Sequence, residues 1–339
     1  MSAQIFGLDI GRSLIKIAQV KVSGGKKELV TVGNTPSTKD GLKTESRPQL
    51  KELSEIVKTL VKNSRIEGNR CAVSIVEAQT VTRLVELPNL TDKELSSAIN
   101  WEADQYIPLP LKDVNLQYKV VFRPQPGTNG KMQVLLIAAP KRVVDKYLEV
   151  VKMAGLELCA LETESSSLAR ALTTAYDPLS LMVSIGAVST EMILAKGGNA
   201  YFSRSVASGG QALTKTIMSE FSLSEKQAEE YKMAYGLLED KLSGKIAAVL
   251  KPVLDILVGE ILKAVEYGRT HMQGDLLTRV IICGGGAYLP GLCEFITEKT
   301  SMEVILADPW ADFSKNGLIL KVPGQGSFYS VATGLALRT

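Results

Sequence analysis

Apolar positions along the chain switch between a period of two and a period of three to four, and the order of switching repeats. Residues 5–10 and 14–20 are apolar, partly β-branched runs on either side of Gly11-Arg12-Ser13, which predicts two strands and a tight hairpin. Residues 50–61 carry apolar side chains at 50, 53, 56, 57, 60 and 61, the spacing of one buried helix face. Residues 71–76 and 80–87 read as further strands. Thr91-Asp92-Lys93-Glu94 then forms a capping box, and the helix it opens runs past Trp101 and Tyr106 to stop at Pro108 and Pro110. Residues 115–122 and 132–138 predict a hairpin around a loop at 124–130. Pro140 opens a helix with Val143, Val144, Tyr147, Leu148 and Val151 on one face, closed by Gly155. Residues 88–157 therefore read as a helix–hairpin–helix insert in a larger α/β fold.

The second half starts as the first does. Residues 180–186 and 189–195 are again strand, glycine turn, strand, and Gly7-Leu8-Asp9-Ile10-Gly11 superposes on Met182-Val183-Ser184-Ile185-Gly186 as a faint internal repeat. After Ser208-Gly209-Gly210 the pattern is helical. Ser224-Glu225-Lys226-Gln227 is a second capping box, and apolar residues at 253, 254, 257, 258, 261, 262 and 265 predict a long amphipathic helix over 252–272. A strand at 279–283 runs into Gly284-Gly285-Gly286, Pro290 starts another helix, and a short helix lies near 332–337.

Three glycine turns thus follow strands directly, at Gly11, Gly186 and Gly284–Gly286. Without a Cβ, backbone N–H groups there can approach phosphate oxygens, and two facing hairpins can clamp a triphosphate. Ser13, Ser189 and Thr190 add hydroxyl donors and Lys16 a compact positive charge, while Asp9 at its strand end is placed to orient waters around Mg²⁺. Hairpins also need glycine for their own geometry, so each turn alone is equally a structural feature. Neither G-x-G-x-x-G nor G-x-x-x-x-G-K-[ST] occurs. Glu229 and Lys232, three apart on a helix, read most simply as a solvated ion pair. Trp101, Glu102, Tyr106 and Pro108 read most simply as the buried face and stop of their helix. Their alternative is the wall of a groove for a partner peptide.

Composition removes other options. The chain has 339 residues, Lys+Arg 39 against Asp+Glu 36, and one histidine, His271. That balance offers no electrostatic reason to expect nucleic acid as the main partner, and one histidine excludes a His-rich metal site. Cys71, Cys159, Cys283 and Cys293 form no C-x-x-C pair and read as small buried hydrophobes of a reducing compartment. No secretory signal and no run long enough to cross a bilayer is present, so a cytoplasmic protein without membrane insertion is expected.

In order, these pieces resemble the actin-like ATPase superfamily, in the branch containing the cell-division protein FtsA, and most closely the type IV pilus assembly proteins of the PilM family. The residues that carry the resemblance are Gly7 to Lys16 for a first phosphate motif, Leu87-Pro88 through Trp101-Glu102 to Tyr106-Ile107-Pro108 for the insert, and Ala154-Gly155-Leu156 with Glu162-Thr163-Glu164-Ser165 for the return. They continue with Ser184 to Thr190, Gly209-Gly210, Ala228 to Lys232, and Gly284 to Ala287. The resemblance implies an α/β actin-like fold of two duplicated domains around a nucleotide cleft. Residues 1–87, 158–178 and 322–339 would form subdomain 1A, and 88–157 the inserted subdomain 1C. Residues 179–208 with 277–321 would form subdomain 2A, and 209–276 subdomain 2B. It implies ATP with Mg²⁺ held by Asp9 through water, and nucleotide contacts at Gly11, Arg12, Ser13, Lys16, Gly186, Ser189, Thr190, Gly209, Gly210, Glu229, Lys232, Gly284, Gly285 and Gly286.

The family usually has an aspartate where this chain has Ser184, which implies that ATP binds while hydrolysis is slow or absent. Glu164 is then the first candidate for a catalytic carboxylate. The implied role is an adaptor on the inner face of the inner membrane, holding the N-terminal tail of a bitopic PilN-like protein near Trp101, Glu102, Tyr106 and Pro108. Contacts with other pilus assembly proteins are implied and self-association is left open. A filament-forming ATPase of cell division and a kinase of the same superfamily are the alternatives.

Overall fold

Backbone pairing in the computed structural model, which describes residues 5–125, 130–272, 275–315, 317–322 and 326–338, arranges the chain around three sheets. The first hairpin, β1 (Phe6–Ile10) and β2 (Leu14–Ser23), extends into β3 (Lys26–Pro36); α1 (Arg47–Asn63), β4 (Arg70–Ile75) and β5 (Val81–Leu87) follow. Next come α2 (Asp92–Asp104), β6 (Val114–Phe122), β7 (Met132–Pro140), α3 (Lys141–Met153), β8 (Glu157–Thr163) and α4 (Glu164–Leu172). The second half has β9 (Ser180–Ile185), β10 (Thr190–Lys196), β11 (Asn199–Val206), α5 (Gly210–Phe221), α6 (Glu225–Tyr235) and α7 (Lys245–His271). It closes with β12 (Arg279–Cys283), α8 (Leu292–Thr300), β13 (Glu303–Leu306), α9 (Gly317–Lys321) and α10 (Ser330–Ala336).

Two sheets have five strands each, in the orders β3-β2-β1-β4-β8 and β11-β10-β9-β12-β13. In both, the first three strands pair antiparallel and the last two join in parallel. Identical order with identical strand direction makes the repeat, faint in sequence, a property of the fold. The cross-strand registers repeat as well, Asp9 opposite Lys16 and Ser184 opposite Glu191. The two sheets meet through α4 and α10, whose Leu168, Ala169, Val331 and Leu335 share one apolar cluster with Ala72 of β4 and with Met182, Ile193 and Ile281 of the second sheet.

The third sheet, β5-β7-β6, carries α2 on one face through Leu95, Ile99 and Ala103 against Val85, Leu87, Met132, Val134 and Leu136. Its composition differs from the helix–hairpin–helix expectation. β5 pairs with β7 along its whole length, so the sheet of the insert begins at Val81 instead of after residue 87. α3 does not cap that sheet; Val143, Tyr147, Val150 and Val151 are buried with Leu53 and Val57 of α1 in the core of the first sheet. Packing against α1 sets the buried face of α3, which leaves Leu148 exposed. The capping box at Thr91 and Glu94 forms as expected. The helix it opens buries Leu95, Ile99 and Ala103, whereas Trp101 is 70% exposed and Tyr106 lies outside too. Four of the seven loop residues at 124–130 lie outside the described residues.

Two further boundaries move for packing reasons. α7 starts at Lys245 and carries Pro252 inside it. Leu250 and Leu254 are both buried in the second core, so tertiary packing offsets the roughly 3 kcal/mol that an internal proline costs. Trp310 and Phe313, expected with the second domain, are buried against Val20 and Leu29 of the first sheet.

Candidate functional site

A cleft of about 1200 Å³ opens where β1, β9 and β12 end, between the two five-stranded sheets. The sheets lay the three glycine turns around one space, because the strands that carry them occupy equivalent places in the repeat. Gly11 closes the first hairpin so tightly that a Cβ would sit 2.7 Å from the Leu14 carbonyl oxygen. Gly284 has φ +84°, and a Cβ there would lie 2.6 Å from the Ile185 carbonyl oxygen. Both positions therefore demand glycine for the backbone that lines the cleft.

Asp9, Gly11, Arg12, Ser13, Lys16 and Glu164 line one wall, and Gly186, Ser189, Gly210, Glu229 and Lys232 line the other, with Gly284, Gly285 and Gly286 closing the end. Thr190 and Gly209 do not reach the space. Thr190 is fully buried and donates its hydroxyl to the Ser208 carbonyl at 2.7 Å. Gly209 is packed against the backbone of Gly186 and Ala187. Both support the second turn from behind, where Gly210 N–H donates to the Gly186 carbonyl at 2.9 Å.

The cleft is lined by carboxyl groups of unequal state. Asp9 pairs with the Lys16 ammonium at 2.9 Å and accepts from the Ser74 hydroxyl at 3.4 Å. Burial by itself would lower the Lys16 ammonium, but the Asp9 carboxylate outweighs it and holds Lys16 above its ordinary value. Lys16 also donates to the Phe328 carbonyl and lies 4.8 Å from the centre of its ring. Glu164, at the start of α4, is pushed well above the carboxylate range by burial and then by the neighbouring Asp9, Glu191 and Glu77. Its Oε2 accepts from the Glu77 N–H at 3.3 Å.

Sequence reasoning missed Glu191. It is 3% exposed and lines the cleft one strand away from Ser184. Its Oε1 accepts from the Ser189 and Ser205 hydroxyls, both at 2.9 Å, while Oε2 is buried with no partner. Burial raises the carboxyl to about 7, against the pull of those two hydroxyls. A signal for it existed: the superposition of Gly7 on Met182, continued along the hairpin without a gap, puts Lys16 on Glu191. Gln211, Tyr288 and Phe328 were also missed. Gln211 reaches across the cleft to the Ser13 hydroxyl at 3.3 Å.

Glu229 and Lys232 do pair, but only the half-exposed glutamate is solvated. Lys232 is buried and donates to the Gly210 carbonyl at 3.2 Å, the Thr214 hydroxyl at 2.9 Å and Glu229 at 2.7 Å. That lysine fastens α6 to the start of α5 and so fixes the second wall. Among the described residues, no three acidic, cysteine or histidine side chains converge to hold a metal by themselves.

Duplicated five-stranded sheets facing a glycine-walled cleft define an actin-like ATPase fold. A solved structure described as a PilM–PilN type IV pilus biogenesis complex shares it with a TM-score of 0.83 and 27% identity, over 99% of this chain and 98% of that one. The ethanolamine utilization protein EutJ from Carboxydothermus hydrogenoformans shares the fold with a TM-score of 0.58 and 18% identity, over 99% of this chain and 89% of that one. The cell division protein FtsA of Streptococcus pneumoniae serotype 2 (strain D39 / NCTC 7466) is 21% identical over 89% of this chain and 75% of its own length. The family described as type IV pilus assembly protein PilM matches residues 7–339, and the chain belongs to that family. No helix among the described residues is long and apolar enough to cross a membrane.

Proposed function

We propose that this chain is an ATP-binding adaptor of the type IV pilus that holds the cytoplasmic N-terminal tail of a PilN-like membrane protein. The observation that supports nucleotide best is the convergence of three glycine turns on one cleft whose opposite walls carry Asp9 with Lys16 and Ser184 with Glu191. The turns present backbone donors to phosphates, and Ser13 and Ser189 add hydroxyls. The unpartnered Oε2 of Glu191 fits a hydrated cation, and so does the Asp9 carboxylate on the facing wall, at the place that Ser184 takes in the second hairpin. With no all-protein cage, Mg²⁺ would keep its waters and ride on the phosphates, as this ion prefers. ATP would supply the charge that orders this cleft; Glu229 and the Gly284–Gly286 turn would border its nucleoside end.

Turnover is expected to be slow. A general base must be ionised, and burial together with three neighbouring carboxyl groups pushes Glu164 well above the carboxylate range, against that form. Purified protein incubated with labelled ATP and Mg²⁺ should retain ATP, not ADP, over many minutes. Rapid accumulation of bound ADP would overturn the silent-site reading and make the protein a timed switch.

The partner surface is proposed at the end of α2, where Trp101, Tyr106 and Pro108 are exposed with Leu109, and Glu102 is half-buried beside them. An exposed tryptophan flanked by a tyrosine is the composition of a binding anchor. Trp101→Ala should weaken a synthetic peptide of the partner's N-terminal tail more than about tenfold, measured by fluorescence anisotropy, with folding unchanged. An affinity within about twofold of the parent would remove this face from the interface. Attachment to the inner membrane would then be through the partner, and contacts with other pilus assembly proteins belong to the same reading.

A further inference from the structure

Glu77 is a buried carboxylate that no step above uses, and four elements converge on it. It follows β4, next to Val76, which lines the cleft. Its N–H donates to Glu164 in the cleft at 3.3 Å. Its Oε2 accepts from the Ser165 N–H at the start of α4, at 3.2 Å. Its Oε1 accepts from the Thr82 hydroxyl of β5 at 3.2 Å and from the Ser203 hydroxyl of β11. One residue therefore joins the cleft edge, through its main-chain N–H, to the helix wedged between the sheets, the first strand of the insert and the outer strand of the second sheet, through its carboxylate.

The insert also touches the second half elsewhere. Lys119 of β6 donates to Asn199 of β11, and Leu84 of β5 packs against the core of the second sheet. Sliding of β11 relative to β4 is thus felt by the sheet of the insert. A buried acceptor without its donors is costly, so the donors around Glu77 must move together or lose their bonds.

We propose that Glu77 is a positioning residue that passes the state of the cleft to the insert, by holding β5 and β11 to the carboxyl that faces the cleft. The inference rests on the nucleotide reading above: ATP with Mg²⁺ is the agent that draws the two walls together. By linkage, any peptide held by the insert then changes nucleotide affinity by the same factor that nucleotide changes the peptide's.

Hydrogen exchange on the full chain, with and without ATP and Mg²⁺, tests it. In the parent protein, nucleotide should slow exchange both at the glycine turns and in β5 and β7. In Glu77→Gln the turns should still be protected, with nucleotide affinity within about threefold of the parent, while the response of β5 and β7 falls by more than about half. Ser203→Ala removes one donor from a strand and leaves the carboxylate in place, so it repeats the test if Glu77→Gln does not fold. A full insert response in both variants overturns the proposal, as does a parent whose turns respond and whose insert does not. A parent whose turns do not respond at all sinks the nucleotide reading first and this inference with it.

Discussion

Gly334→Ala should lower the stability of the chain by about 3 kcal/mol or more, or prevent it from accumulating folded. A Cβ at Gly334 would stand 1.9 Å from the Ser167 carbonyl oxygen and 2.6 Å from its carbon. Those are backbone atoms of α4, so no side-chain rotation relieves the clash. α10 must instead lift away from α4, which unpacks Val331 and Leu335 from the cluster joining the two sheets. Gly7 is the partner of this contact on β1, where a Cβ would lie 1.9 Å from the Ala332 carbonyl oxygen. Gly7→Ala should therefore be comparably severe, and the double variant less than additive because both displace the same helix. Urea unfolding midpoints of the three variants measure this. A loss below about 1 kcal/mol for Gly334→Ala would mean that α10 is not seated as described. The effect reaches function because α4 starts with Glu164: a helix pushed back by α10 carries a cleft carboxyl with it.

Replacement of Glu191 by glutamine is the second change with a large expected effect, and its sign depends on pH. Burial raises this carboxyl from 4.5 to about 7 in the folded chain. Between those values the folded state holds a proton that the unfolded state has released, so stability falls as pH rises through the window. Relative to an ordinary carboxyl, Glu191 costs the nucleotide-free fold about 3 kcal/mol above pH 7 and nothing below about pH 4. Glu164, raised for the same reason, adds in the same direction. Glu191→Gln keeps the shape and one acceptor for the Ser189 and Ser205 hydroxyls while removing the titration. Its melting temperature should exceed the parent's at pH 8 and match it at pH 5, in the absence of nucleotide. The same variant should lose most of the contribution of Mg²⁺ to ATP binding, because the buried, unpartnered Oε2 that the cation reading relies on is gone. Equal melting curves at both pH values would show that Glu191 is hydrated and ordinary. A retained Mg²⁺ effect would leave the cation to Asp9.

Cross-strand register explains why Ser184 misleads when read alone. At the end of β9 the chain has a neutral hydroxyl where β1 has Asp9, and by sequence the second wall looks stripped of its charge. Pairing of β10 with β9 brings Glu191 alongside, at the position that Lys16 holds against Asp9. The charge pattern of the first hairpin, acid on the first strand and base on the second, becomes hydroxyl and acid in the second hairpin. Residue type alone does not reveal this; it follows from which residues face one another across two strands, a register that the ungapped superposition of the two hairpins carries.

Local chemistry decided a good deal without help from the rest of the fold. Both capping boxes, the glycine turns after β1, β9 and β12, and the helix over residues 50–61 depend on bonds or apolar faces within a few residues, and all form where the sequence places them. The order of those signals also carried the family, since motif order survives wherever each motif is locally encoded. Tertiary structure alone decided what faces what. It assigned β5 to the sheet of the insert and turned Trp101 outward. It buried Lys232 under three acceptors, withdrew Thr190 and Gly209 from the cleft, and set Glu191 into it. Those outcomes depend on pairing between elements, β5 with β7, β10 with β9 and α5 with α6, and apolar periodicity is indifferent to which partner a face or a strand edge will find.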